Sequence, residues 1–124
     1  MSLLYLLDSD VFSLMVSGRD AAINERMRTL GEGQAMLSVV TTGEFFYGAT
    51  HQPISELCNQ RAQRLIDFFS VLSLDAQVAQ TYGAIRAELR AKGMPIGPNE
   101  LWLAAQARHM AWSWSRAMAG NSSG

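Results

Sequence analysis

Five consecutive apolar residues, Leu3-Leu4-Tyr5-Leu6-Leu7, run straight into Asp8-Ser9-Asp10. A run this short cannot build a stable helix, but it suits a strand buried on both faces and ending in a polar turn. Such strands belong to parallel sheets, whose neighbours must be joined by crossover segments, usually helices. The opening residues therefore predict an α/β fold before any other part of the chain is considered.

The rest of the sequence supplies the remaining parts. Val11 to Val16 reads as a short helix closed by Ser17-Gly18, and Arg19 to Leu30 as a longer one stopped by Gly31 and Gly33. Ala35 to Val40 is a second buried strand. Thr41-Thr42-Gly43-Glu44 opens a helix, with a threonine as N-cap and Glu44 in the first turn, and Pro53 ends it. Ser55 to about Phe69 is helical by the spacing of Leu57, Leu65, Ile66 and Phe69, and Val71 to Leu74 is a third strand ending at Asp75. Ala76 to Ala91 is a helix closed by Lys92-Gly93. After a turn carrying Pro95, Gly97 and Pro98, Asn99 caps a last helix through Ala107.

Composition narrows the functional classes. At 124 residues the chain is one domain, and 48% hydrophobic with 17% charged residues excludes a disordered chain. A net charge of −1 excludes nucleic-acid binding by bulk positive charge, so any such contact must be local. The lone cysteine, Cys58, cannot form an internal disulfide, and the start has no basic flank. The expected setting is a reducing cytoplasm, with no membrane contact.

Ligand sites in parallel sheets form beyond the carboxyl ends of the strands. Asp8 follows the first strand, Glu44 the second, and Glu100 opens the helix fixed by Pro95 and Pro98. Each could be a plain helix-terminal acid, stabilised by the helix dipole. Delivered together, three carboxylates make a hard-oxygen site of the kind Mg²⁺ or Mn²⁺ requires.

Three segments carry a family likeness: Leu-Leu-Asp-Ser-Asp-Val-Phe-Ser, Val-Thr-Thr-Gly-Glu-Phe-Phe-Tyr-Gly-Ala and Pro-Ile-Gly-Pro-Asn-Glu-Leu-Trp-Leu-Ala-Ala. In order, spacing and apolar flanks they resemble the motifs of PIN-domain ribonucleases, specifically VapC-like toxins of bacterial toxin–antitoxin pairs. The likeness covers about residues 3 to 108. It implies a three-layer α/β/α fold around a central parallel sheet. It also implies that Asp8, Glu44 and Glu100 hold Mg²⁺ or Mn²⁺ for hydrolysis of RNA, with Ser9, Asp10 and Asn99 as polar support. A tRNA or other structured RNA substrate, a small antitoxin and a homodimer follow by the same resemblance. Glu100 departs from the family, which usually has Asp there, and the extra methylene displaces the carboxylate.

Arg86 and Arg90, four apart on one helix face, and nearby Lys92 are candidate phosphate contacts; a solvated face is the plainer reading. His51 and His109 have no partner at metal spacing. Phe45, Phe46 and Tyr47 read as core and interface, and the apolar content of the helices after Val11 and after Ser55 exceeds what a small core hides. Two other functions remain open. Asp8-Ser9-Asp10 after a strand also resembles the nucleophile and acid of haloacid-dehalogenase-type phosphatases, with Thr41 at the phosphate-binding position. A degenerate PIN domain that only binds a partner is the other.

The chain divides into a PIN-like domain, residues 1–108, and an atypical tail, residues 109–124. Where the family continues into a fourth strand followed by Thr and a last Asp or Asn, this chain has Met110-Ala111-Trp112-Ser113-Trp114-Ser115. Met and Trp have single codons. If the serines use TCN codons, a shift of two bases from Met110 spells Gly, Leu/Val/Met, Val, Leu/Val/Met, Val, and then permits Thr, Arg and Asn or Asp. The expectation is a single-base insertion or deletion near Arg108 or His109, a lost strand, an open edge on the first strand and weakened activity. The alternation of Trp112 to Ser115 would let that segment pair partly as a strand. A natural unrelated tail or an expression scar is the alternative.

Overall fold

The computed structural model describes residues 5–30 and 33–122, with side chains through Met110. It divides into two compact units, Met1–Ser73 and Leu74–Gly124. The expected strand residues Leu3 and Leu4, the stop at Gly31, and Ser123 and Gly124 lie outside the described residues.

In the first unit the order is β1 (Tyr5–Leu7), α1 (Ser9–Ser17), α2 (Ala21–Thr29), β2 (Ala35–Ser38), α3 (Val39–His51), α4 (Glu56–Phe68) and β3 (Ser70–Leu72). The strands form a parallel sheet in the order β1-β2-β3, with Leu7 opposite Leu37 and Leu37 opposite Val71. Parallel pairing of consecutive strands forces helical crossovers, which α1 with α2 and α3 with α4 supply. Phe12, Met15 and Val16 sit at helical spacing on α1 and bury against Leu7, Leu37 and Ala62. Phe12 meets Phe45 of α3 edge-to-face, with centroids 5.3 Å apart. The surplus of apolar side chains is real: Phe46, Tyr47, Leu57 and Phe68 are all more than half exposed.

Capping sets most boundaries. Asp8, Asp20 and Ser55 each accept a hydrogen bond from the backbone N–H three residues on and start α1, α2 and α4. α1 therefore begins before Val11, and the helix expected from Arg19 begins at Ala21. Gly18 closes α1 at φ 67°, its N–H bonded to Leu14 O. β2 is shorter than expected because Ser38, not a threonine, caps α3: its Oγ accepts from the N–H of Val40. Val39 and Val40 are helical in spite of their β-branching, and Glu44 stands in the second turn rather than the first. β3 begins one residue earlier than Val71.

The second unit is α5 (Ala76–Ala91) and α6 (Pro98–Ser122). Val78 and Ile85 pack against Leu101 and Ala105, and Tyr82 stacks on Trp102 with centroids 3.9 Å apart. Arg108 and Glu88 pair at 3.4 Å, both half exposed, so the pair adds little stability. α5 ends as its Lys92-Gly93 signal predicts, Gly93 taking φ 68°. α6 starts at Pro98, whose fixed φ suits the first helical position, and Asn99 is therefore helical rather than the cap. The expectation of strand pairing by Trp112 to Ser115 is corrected: α6 continues through them to Ser122. Local i to i+4 hydrogen bonds need no partner strand, whereas a ladder does.

Candidate active site

The site in the first unit begins where β1 ends. Asp8 is extended, at φ −84° and ψ 176°, and turns the chain from strand into helix. Its Oδ1 accepts from the N–H of Val11 at 2.9 Å, its one side-chain hydrogen bond among the described residues. The cap thus occupies one oxygen of an exposed carboxylate, and Oδ2 has no such duty. The structural role expected of Asp8 as a capping acid is present, and it does not exclude a second role.

The next residue reaches the neighbouring helix. Ser9 Oγ donates to Glu44 Oε2, joining the first turn of α1 to the second turn of α3. Glu44 is half-buried, so its carboxylate is held and not merely tethered. The same helix is fastened to the strand by a buried bond: Thr41 Oγ1 donates to Leu7 O at 3.0 Å. Ser9 thus ties α1 to Glu44, and Thr41 ties α3 to the strand end that precedes Asp8. Thr41 lies three residues before Glu44 on one helix face, a spacing that could have marked it as a positioning residue; sequence reading considered it as a helix cap and, in the phosphatase alternative, as a phosphate-binding residue. Ser9, Ser13, Thr41, Glu44, Gln52 and Ile54 line a cleft of about 350 Å³. Asp10 is exposed in the first turn of α1, with its charge at the favourable end of the dipole.

Glu100, Asn99, Arg86, Arg90 and Lys92 belong to the second unit. Glu100 occupies the first turn of α6 beside Asn99, and the N–H of Leu101 donates to Gly97 O at 2.9 Å, fixing the entry of the helix. Arg86 and Arg90 are exposed on α5, with Arg86 Nη1 3.3 Å from Tyr82 Oη, and Lys92 is the exposed C-cap. His51 is exposed and contacts Tyr47, and Cys58 is half-buried. Among the described residues no group of three or more His, Cys, Asp or Glu is arranged to hold a metal ion. The donors joined in the first unit are carboxylate and hydroxyl oxygens, which is the chemistry a hard divalent cation selects. By donor type they fit Mg²⁺ or Mn²⁺.

Comparison with known proteins follows the same segments. The family model described as "PIN domain" matches residues 5–114. The tRNA(fMet)-specific endonuclease VapC of Shigella flexneri is 32% identical over 104 residues, 84% of this chain and 78% of that protein. Ribonuclease VapC1 of Haemophilus influenzae is 28% identical over 106 residues, 85% of this chain and 79% of its own. Among solved structures, DNA-bound VapBC from Salmonella typhimurium superposes with a TM-score of 0.75 at 31% identity, covering 85% of this chain and 79% of that one.

Proposed function

Because the chain belongs to the PIN domain family, we propose that it is an endoribonuclease dependent on Mg²⁺ or Mn²⁺, the toxin half of a toxin–antitoxin pair. The observation that carries this reading is the Ser9–Glu44 hydrogen bond beside the Asp8 cap, at the carboxyl end of β1. Relatives spanning most of the chain are named endonucleases and ribonucleases, which supports the reaction class. A phosphatase using Asp8 has no comparable support, since the family match spans all three acidic segments.

Asp8 and Glu44 would hold the cation, with Glu100 as the third carboxylate that its motif position implies. When bound, a divalent ion lowers the pKa of a water and stabilises negative charge on phosphoryl oxygens. The chain's own residues do the positioning. Ser9 keeps the Glu44 carboxylate in one rotamer, Thr41 keeps α3 against the end of β1, and the Asp8 cap aims one oxygen inward along the helix while sparing the other. Arg86, Arg90 and Lys92 would neutralise phosphates of the substrate, for which tRNA is a candidate. By their motif positions, Ser9, Asp10 and Asn99 would supply polar support.

The partners follow the same reasoning. The Salmonella relative was solved as VapBC, which supports a small antitoxin for this chain as well. The exposed Phe46, Tyr47, Leu57 and Phe68 would favour self-association as a homodimer. No helix among the described residues is long and apolar enough to cross a membrane, and we place the protein in the cytoplasm. We read the change of pattern near Arg108 or His109 as a shift of reading frame, and replacement of the family's fourth strand and its polar group would slow cleavage.

Cleavage of a total tRNA preparation with Mn²⁺ is the test. The chain should cut it, and Glu44→Gln should abolish cutting. Equal cleavage by both proteins would assign the activity to a contaminant and overturn the reading.

A further inference from the structure

We propose that the cavity of about 420 Å³ between α5 and the turn before α6 is a nucleotide subsite, taking one unstacked base of a single-stranded RNA, with Arg86 and Arg90 on its phosphates. The proposal rests on the ribonuclease reading and adds a base-binding cavity to the phosphate contacts of Arg86 and Arg90. The walls are apolar, built by Tyr82, Leu89, Pro95 and Ile96, while Arg86 and Arg90 are the charged groups of the lining. Being one helical turn apart, the two arginines project from the same face of α5. Neither has an ion-pair partner among the described residues, and the hydrogen bond given for Arg86 goes to the neutral Tyr82 hydroxyl.

This combination selects its ligand. Free phosphate would use the charges and leave the apolar walls wet, and a purely apolar group would leave two cations uncompensated. A nucleotide satisfies both, because a base has two apolar faces and carries its anion one sugar away. Consecutive phosphates also repeat along a strand, as the two guanidinium groups repeat along α5. Tyr82 is already held by its stack on Trp102, at an interplanar angle of 21°, so presenting that wall costs little side-chain entropy. Ring surfaces of this kind are what single-stranded bases stack upon, without regard to sequence.

The test measures binding by the full chain in EDTA, where cleavage plays no part. Fluorescence anisotropy compares a short unstructured oligoribonucleotide with an abasic strand of the same length. The base-bearing strand should bind about tenfold tighter, the scale of one stacked base. Ile96→Ala, which removes an apolar wall from an exposed position, should reduce that preference. Arg86→Ala and Arg90→Ala should weaken both strands and each reduce the salt slope by about one. Equal affinity of the wild-type chain for the two strands overturns the proposal. So does capture of an acidic, leucine-rich peptide by a chain that binds neither strand, because the cavity would then be a protein-docking site. If the Ile96→Ala variant does not melt cooperatively, the wild-type comparison decides alone. A chain that discriminates in EDTA but never cuts with Mn²⁺ keeps the subsite and loses the ribonuclease reading; one that cuts without discriminating does the reverse.

Discussion

Thr41 Oγ1 donates a buried 3.0 Å hydrogen bond to Leu7 O, so the last carbonyl of β1 is satisfied by a helix that begins more than thirty residues later. Because a buried acceptor left unpaired costs about 1–3 kcal/mol, Thr41→Val should destabilise the chain by that amount although it conserves shape. Urea denaturation measures it. RNA cleavage should fall further than the loss of folded protein explains, since the bond also fixes where α3 presents Glu44.

Asp8 caps α1 and is proposed as a cation ligand, two roles that substitution separates. Asp8→Asn retains an oxygen for the Val11 N–H and should leave the melting temperature nearly unchanged, whereas Asp8→Ala removes the cap and should cost about 1 kcal/mol. Both should abolish cleavage if the charge is what the reaction uses. An Asp8→Asn protein that still cuts RNA at the wild-type rate would reduce Asp8 to a cap.

Ser9 acts through Glu44 and is a positioning residue. Ser9→Ala should lower Mn²⁺ affinity about tenfold, as loss of a group that orients a ligand commonly does, with under about 1 kcal/mol of lost stability. Calorimetric titration and a thermal melt read the two effects separately. A purely structural serine would change the melt and spare the titration.

Gly18 holds φ 67°, and a Cβ placed there would stand 2.7 Å from Arg61 Nη1, which donates to Ser17 O at 2.8 Å. Gly18→Ala should cost about 1–2 kcal/mol from the left-handed backbone alone. Displacement of the arginine should add to that loss. Thermal unfolding of the variant and of Arg61→Ala compares the two contributions.

The coding bases after Arg108 offer a test of the tail. They are expected to read, two bases out of frame from Met110, as an alternating aliphatic strand. A chain rebuilt in that frame should gain strand signal in circular dichroism and cut RNA faster. Bases that yield no such strand would overturn the reading of a shifted frame.

Several features were legible without coordinates because their causes are local. The apolar run ending at Asp8 means strand and polar exit, although Tyr5 and Leu6 are only half-buried, Lys92-Gly93 means the end of α5, and Ser55 means a helix start, each from the chemistry of a few adjacent residues. The acids, read by motif, stand where strand ends and first turns place them, except that Glu44 lies one turn deeper. That turn was invisible because Ser38 competes with the threonines for the capping duty, and it is Ser38 Oγ that accepts from the N–H of Val40. What only the tertiary structure decided is which side chains meet across long separations: Ser9 with Glu44, Thr41 with Leu7, and Tyr82 with Trp102. Local propensity constrains backbone angles over a turn or two. Contacts between residues far apart in the chain are selected by the packing of whole elements, a property that no short stretch of sequence contains.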